Sequence, residues 1–317
     1  MNRSAQNNGG RGVTTTPLRG VLPVIQTPFA QDGSVDLPGL QRELVWVLDQ
    51  GVSGLTTGMV SETLRLSDLE RREVARAVCA AAVDRGRDAV ISCGAESTRE
   101  AVSLAQDAQD AGATALMAIP PITAVLDDEE LFRYYSAILD AVDLPLVVQD
   151  ASGYIGNPLS IAVQLRILDR FGDRVYFKPE AAPIGQRLSA LREATGGRAR
   201  AFEGSGGAAV VDSFRRGIVV GTMPGAEVSW AVQALWSACE HGDWDLAYAL
   251  SGPLTLLVAI QTSVDAYVAV EKHVLVAQGV LASADVREPV GYRLDPETAA
   301  EVDRLVDRLR AAMPAVP

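Results

Sequence analysis

Between Gly20 and Cys239, short apolar runs alternate with longer stretches in which apolar residues recur at helical spacing. The runs lie at Gly20–Pro28, Gly54–Thr57, Ala89–Cys93, Ala115–Ile119, Pro145–Gln149, Val175–Lys178, Arg200–Glu203 and Ile218–Gly221. They are rich in Val, Ile and Leu and do not alternate apolar with polar, which is the pattern of parallel strands buried on both faces. The stretches between them predict helices over Leu37–Gln50, Leu66–Asp84, Ser97–Ala111, Asp127–Ala141, Ser160–Phe171, Ile184–Ala194, from Gly207 to Arg216, and Glu227–Cys239. Ser67 with Asp68, Ser97 and Asp127 supply start signals, because a short oxygen-bearing side chain accepts from the free amides of a first helical turn.

Eight strands in strict alternation with eight helices predict an α/β fold, a (β/α)8 TIM barrel. The rival, an open doubly wound sheet, carries a glycine-rich fingerprint after its first strand, and Thr27-Pro-Phe-Ala30 is not one. Beyond Asp243 the pattern is helical only, with helices over Trp244–Ile260, Val264–Gln278 and Pro296–Ala312. The organisation that follows is a polar, disordered tail over residues 1–17, a barrel over 18–240 and a C-terminal helical extension over 241–317. The Val264–Gln278 helix has more apolar face than a lone surface helix needs, which predicts a homo-oligomer.

Composition narrows the class of partner. A chain of 317 residues that is 48% hydrophobic buries one large core or two modest ones. No run of 18 apolar residues occurs, so no membrane span is expected, and the polar Met1–Thr16 lacks the apolar centre of a signal peptide. A net charge of −12 argues against nucleic acid as a partner. The three cysteines, Cys79, Cys93 and Cys239, are scattered and odd in number, which fits a reducing cytoplasm better than a disulfide framework.

Candidate chemistry gathers at the C-terminal ends of the predicted strands, where a barrel builds its site. Those ends hold Thr27, the Gly58–Glu62 loop, Cys93, Pro120, Gln149 with Asp150, Lys178 with Glu180, Gly204 with Ser205, and Thr222. Lys178 stands out because, of 28 Lys and Arg residues, only Lys178 and Lys272 are lysine. Arginine cannot lose its proton, whereas a desolvated lysine can, and a neutral amine attacks carbonyls to give a Schiff base. The alternative reading of Lys178 is a half-buried ion pair with Glu180, which points the same way along the strand. Glu203-Gly-Ser-Gly-Gly207 fits both a phosphate cradle and a tight turn that brings backbone close to a carboxylate. No His/Cys/Asp set has metal-ligand spacing, and no cofactor is called for. Cys93 reads as core and both His241 and His273 as helix-end or surface residues.

The residues then resemble a known family. Gly20-Val-Leu-Pro-Val-Ile-Gln-Thr-Pro-Phe29, the Gly58–Glu62 loop, Leu144-Pro145 with Gly153 and Gly156, and the strand-6 lysine are similar to the dihydrodipicolinate synthase/N-acetylneuraminate lyase superfamily, over nearly all of Leu18–Leu309. The resemblance implies a Schiff-base aldolase or dehydratase acting on a small 2-oxo acid such as pyruvate, commonly a homotetramer, with Lys178 as the imine-forming residue. Departures refine it. The family's Gly-Thr-Thr-Gly-Glu loop is here Gly58-Met-Val-Ser-Glu62, so carboxylate binding falls to Gly58, Val60 and Ser61, with Thr27, Gly204 and Ser205 around the substrate. The family's Tyr-Asn-Val-Pro-Gly-Arg is Gln149-Asp-Ala-Ser-Gly-Tyr154, which replaces the catalytic tyrosine by Gln149 and speaks against dihydrodipicolinate synthase itself. Gln149–Gly156, Lys178-Pro-Glu180 and Gly221-Thr-Met-Pro-Gly225 resemble the L-2-keto-3-deoxyarabonate dehydratase branch, where a Lys-x-Glu pair replaces the tyrosine relay. Glu180 is then the expected proton shuttle, with Asp150, Glu62 or a substrate carboxylate next in line. A class I aldolase and a non-catalytic barrel that binds a 2-oxo acid are the alternatives.

Overall fold

The computed structural model describes residues 17–154 and 156–314; the expected polar tail lies outside these except for Pro17. Eight strands form one sheet: β1 (Gly20–Val21), β2 (Gly54–Thr56), β3 (Asp88–Ser92), β4 (Ala115–Ala118), β5 (Leu146–Gln149), β6 (Val175–Lys178), β7 (Ala201–Glu203) and β8 (Val219–Thr222). Their order is β1-β8-β7-β6-β5-β4-β3-β2 and every pair is parallel. The ring closes between β1 and β2, where Ile25 N–H donates to Thr56 O at 2.9 Å and Thr56 N–H to Pro23 O at 2.8 Å. The fold is therefore the expected (β/α)8 barrel, with α1 (Leu37–Asp49), α2 (Asp68–Asp84), α3 (Thr98–Asp110), α4 (Asp128–Ala141), α5 (Ile161–Phe171), α6 (Ile184–Ala194), α7 (Val210–Arg215) and α8 (Ser229–His241) following the strands in turn.

Two predicted elements are shorter than expected. The run Gly20–Pro28 is regular strand only over Gly20–Val21 and continues through an isolated bridge at Val24. Pro23 and Pro28 have no N–H to give a ladder. Helix α7 begins at Val210 rather than near Gly207, because Gly206 and Gly207 sit at φ +66° and +96°, outside helical geometry. Helix α2 starts as read: Ser67 Oγ accepts from Glu70 N–H, and the Glu70 carboxylate accepts from Ser67 N–H at 2.8 Å.

Strand alternation divides the core in two. Val90, Met117, Val147, Tyr176 and Phe202 fill the barrel interior, while Ile91, Leu116, Val148 and Phe177 pack outward against the helices. Lys178 stands two residues beyond the inward Tyr176, and Gln149 two beyond the inward Val147; the two face each other in the β5–β6 register. The period of the strand thus aims both side chains into the barrel mouth.

Three further helices, α9 (Trp244–Ile260), α10 (Val264–Ala277) and α11 (Pro296–Ala312), complete the described chain, and none of its helices is long and apolar enough to cross a membrane. The apolar face of α10 is covered within the chain. Ala266, Val268, Val270, Val274 and Leu275 are buried within this same chain, so that face gives no reason to expect a second copy. What seats α10 is an ion pair with both side chains fully buried: Lys272 Nζ lies 2.6 Å from Glu62 Oε1 and donates to Asp285 O at 2.7 Å. Glu62 Oε2 also accepts from Arg287 N–H at 2.8 Å. The loop after β2 and the C-terminal helices are thereby locked together over the barrel mouth.

Candidate active site

A cavity of about 40 Å³ opens where β5, β6 and β7 end beneath α10. Lys178, Glu180, Gln149, Gly58, Val60 and Gly204 line it, all of them candidates read from the sequence. Lys178 Nζ lies 3.0 Å from Glu180 Oε1, and both residues are 5% exposed. Gln149 Nε2 donates to both Glu180 oxygens, at 3.1 and 2.9 Å. Glu180 is thus held from two sides. Burial raises its carboxyl above the ordinary range, opposed by the neighbouring Lys178 and by the Gln149 hydrogen bond. A carboxyl shifted toward neutrality is suited to take up and return a proton.

Gly204 is needed for this closeness. A Cβ at that position would lie 2.8 Å from Glu180 Cγ and 2.9 Å from Lys178 Cγ. The glycine loop wraps a carboxylate of its own: Ser205 N–H donates to Glu203 Oε1 at 2.7 Å and Gly207 N–H to Glu203 Oε2 at 3.2 Å. The tight turn around a carboxylate is the reading that the geometry supports, and the carboxylate is the chain's own.

Three sequence candidates stand back from the cavity. Ser61 Oγ donates to Ile25 O and accepts from Gly58 N–H at 3.1 Å. Thr27 Oγ1 donates to Ser61 O at 2.6 Å. Ser205 Oγ donates to Glu203 and accepts from Ala209 N–H at 3.0 Å. Their hydroxyls are spent on backbone and carboxylate, so they shape the loops that face the ligand. The fallback proton carriers are also committed. Asp150 accepts from Ser152 N–H at 3.0 Å and Leu159 N–H at 3.1 Å, and Glu62 is held by Lys272 and Arg287.

Sequence reasoning did not find the α10 side of the cavity. Tyr267 and Glu271, one helical turn apart, both line it. Tyr267 meets Tyr154 edge-on with ring centroids 5.5 Å apart, and Tyr154 OH lies 3.3 Å from Tyr267 OH. Burial raises both phenols above their ordinary value. The available signal was Glu271-Lys272, a charged pair set between Val270 and Val274 on an otherwise apolar helix face.

The family model that matches the chain is that of the dihydrodipicolinate synthetase family, over residues 17–309. Among curated proteins, L-2-keto-3-deoxyarabonate dehydratase of Azospirillum brasilense is 27% identical over 302 residues, covering 93% of this chain and 96% of that protein. 4-hydroxy-tetrahydrodipicolinate synthase 2 of Streptomyces coelicolor is 34% identical over 155 residues, 49% of this chain and 52% of that protein, so the match spans about half its length. Among solved structures, dihydrodipicolinate synthase from Rhodopseudomonas palustris superposes with a TM-score of 0.82 at 25% identity, covering 92% of this chain and 97% of that one.

Proposed function

Because the chain belongs to the dihydrodipicolinate synthetase family, whose members are lyases, we propose that it is a Schiff-base dehydratase of a 2-keto-3-deoxy sugar acid of the L-2-keto-3-deoxyarabonate kind. The observation that carries this reading is the buried Lys178–Glu180 pair, 3.0 Å apart, with Gln149 fixing Glu180 from the far side. The long relative named a dehydratase supports it from the side of sequence.

In the proposed reaction the Lys178 amine attacks the C2 carbonyl, and loss of water gives a protonated imine. The imine is an electron sink, so the C3 proton becomes removable. Glu180, adjacent to the nitrogen, takes that proton and leaves an enamine. Expulsion of the C4 hydroxyl as water restores the imine, and hydrolysis frees Lys178. The Gly58–Val60 backbone faces the substrate carboxylate. Gln149 carries no proton and holds Glu180 in line.

Pyruvate with borohydride tests imine formation, and mass spectrometry over a set of 2-keto-3-deoxy sugar acids tests dehydration through loss of one water. The relatives named 4-hydroxy-tetrahydrodipicolinate synthase favour a second reading, in which the pyruvate imine joins an aldehyde. That reading predicts pyruvate consumption with aspartate semialdehyde and no loss of water from the sugar acids. Trapping without turnover on either set would identify a binding protein.

A further inference from the structure

The wall of the cavity formed by α10 and the segment after β8 carries a second pair of carboxyl groups. Glu271 lines the cavity from α10 and is 1% exposed; Glu227, after β8, is 4% exposed. They converge over Gly225, where a Cβ would lie 2.3 Å from Glu227 Oε2 and 2.5 Å from Glu271 Oε1. Only a glycine there lets the two oxygens approach. Glu227 Oε2 has no hydrogen-bond partner among the described residues, while Glu271 Oε2 accepts from Gln26 Nε2.

Among the described residues no cation is dedicated to this pair. Lys272 is taken by Glu62, and Lys178 lies 3.0 Å from Glu180. Glu43 adds a third buried carboxyl behind Gln26, accepting from Gln26 N–H at 2.7 Å. The groups that face Glu271 are thus Glu227, Glu43, Lys178 and the Tyr267 phenol. Burial and the neighbouring carboxyl both disfavour ionisation of the pair. Burial, then Glu227, pushes Glu271 well above the ordinary carboxyl range, and burial raises Glu227 to about 7.

We propose that Glu271, which lines the cavity from α10 and converges with Glu227 over Gly225, is the general acid that protonates the leaving C4 hydroxyl, while Glu180 serves as the C3 base. The inference rests on the dehydratase reading above and divides its proton transfers between two groups. The C3 proton passes to Glu180. The enamine electron pair forms the C3–C4 double bond as the C4–O bond breaks, and the proton of Glu271 leaves with the hydroxyl as water. Glu180 returns its proton to solvent, and the Glu227–Glu271 pair is reprotonated from solvent, so the balance is substrate minus one water. Placement favours this division. Lys178 and Glu180 line the cavity from the strand ends and Glu271 lines it from α10, so the two carboxyls reach a bound substrate from different walls. The phenols of Tyr154 and Tyr267 are poorer acids, since burial raises both.

The test compares full-length wild type, Glu271→Gln, Glu227→Gln and Glu180→Gln in three assays: borohydride trapping with pyruvate, exchange of pyruvate methyl protons in deuterated water, and dehydration of 2-keto-3-deoxy-L-arabonate. Glu271→Gln should trap and exchange like wild type yet lose about 10²-fold or more of dehydration, the usual range for a lost acid. Glu227→Gln should follow it with a smaller loss. Glu180→Gln should trap but not exchange. Dehydration by Glu271→Gln within about tenfold of wild type overturns the assignment, as does joint loss of trapping and exchange, which marks a structural role. Wild type that neither traps nor exchanges instead removes the dehydratase reading. Should wild type trap and exchange but leave this sugar acid intact, the infrared difference between pyruvate-bound wild type and Glu271→Gln decides. A protonated-carboxyl band at neutral pH is expected, and its absence overturns the proposal.

Discussion

Glu180 is the residue whose substitution separates the proposed steps most cleanly. Lys178→Ala should abolish both trapping and turnover, whereas Glu180→Gln should keep trapping and lose about 10²–10⁴-fold of turnover. Because burial raises Glu180 and a base must be ionised, turnover should fall as pH drops through a limb placed above the ordinary carboxyl range. A limb at the ordinary glutamate value would contradict the environment seen here. Gly204→Ala should impair both residues at once, since its Cβ has no space between their side chains. The Lys178–Glu180–Gln149 cluster was legible from sequence because strand alternation and register dictate it. Ser61, Thr27 and Ser205 stand back from the cavity for a local reason. Hydroxyls at strand ends compete for nearby backbone groups, and which partner wins depends on loop geometry that a one-dimensional pattern does not contain.

Helix α10 shows what an element contributes beyond its own pattern. Its apolar stripe reads as an exposed sticky face, yet the chain folds it back over the barrel mouth and inserts Tyr267 and Glu271 into the site. The buried Lys272–Glu62 pair is what couples that helix to the loop after β2. Breaking it by Lys272→Met leaves Glu62 short of its cation, and the expected cost is about 3–5 kcal/mol, read as a lowered midpoint in denaturant. Loss below about 1 kcal/mol, the range of exposed pairs, would show that the pair is not what anchors α10. The barrel strands and most helix starts were legible because the period-2 and 3.6 signals and the caps agree. The shortened β1 and α7 were not, since prolines and left-handed glycines act against an otherwise sound apolar pattern.

Across the whole molecule, buried carboxyls set an unusual pH dependence of stability. Glu43 is raised to about 8 by burial and Glu227 to about 7. A raised folded-state value means stability fully present below the unfolded value and lost as pH rises through the folded one. The unfolding free energy should therefore fall as pH rises from about 4.5 to about 8, by an amount on the order of a few kcal/mol, and Glu43→Gln should flatten that fall. Assembly belongs to the same scale: the α10 face is used internally, and light scattering at micromolar concentration reads whether the expected homo-oligomer forms. Imine formation at Lys178 can be mapped without ambiguity, because the chain has only two lysines. Wild type reduced with borohydride in the presence of pyruvate, digested and mapped by mass spectrometry, should carry a pyruvate-sized addition on Lys178 and none on Lys272. An unmodified Lys178, or an adduct elsewhere in the chain, would contradict the account.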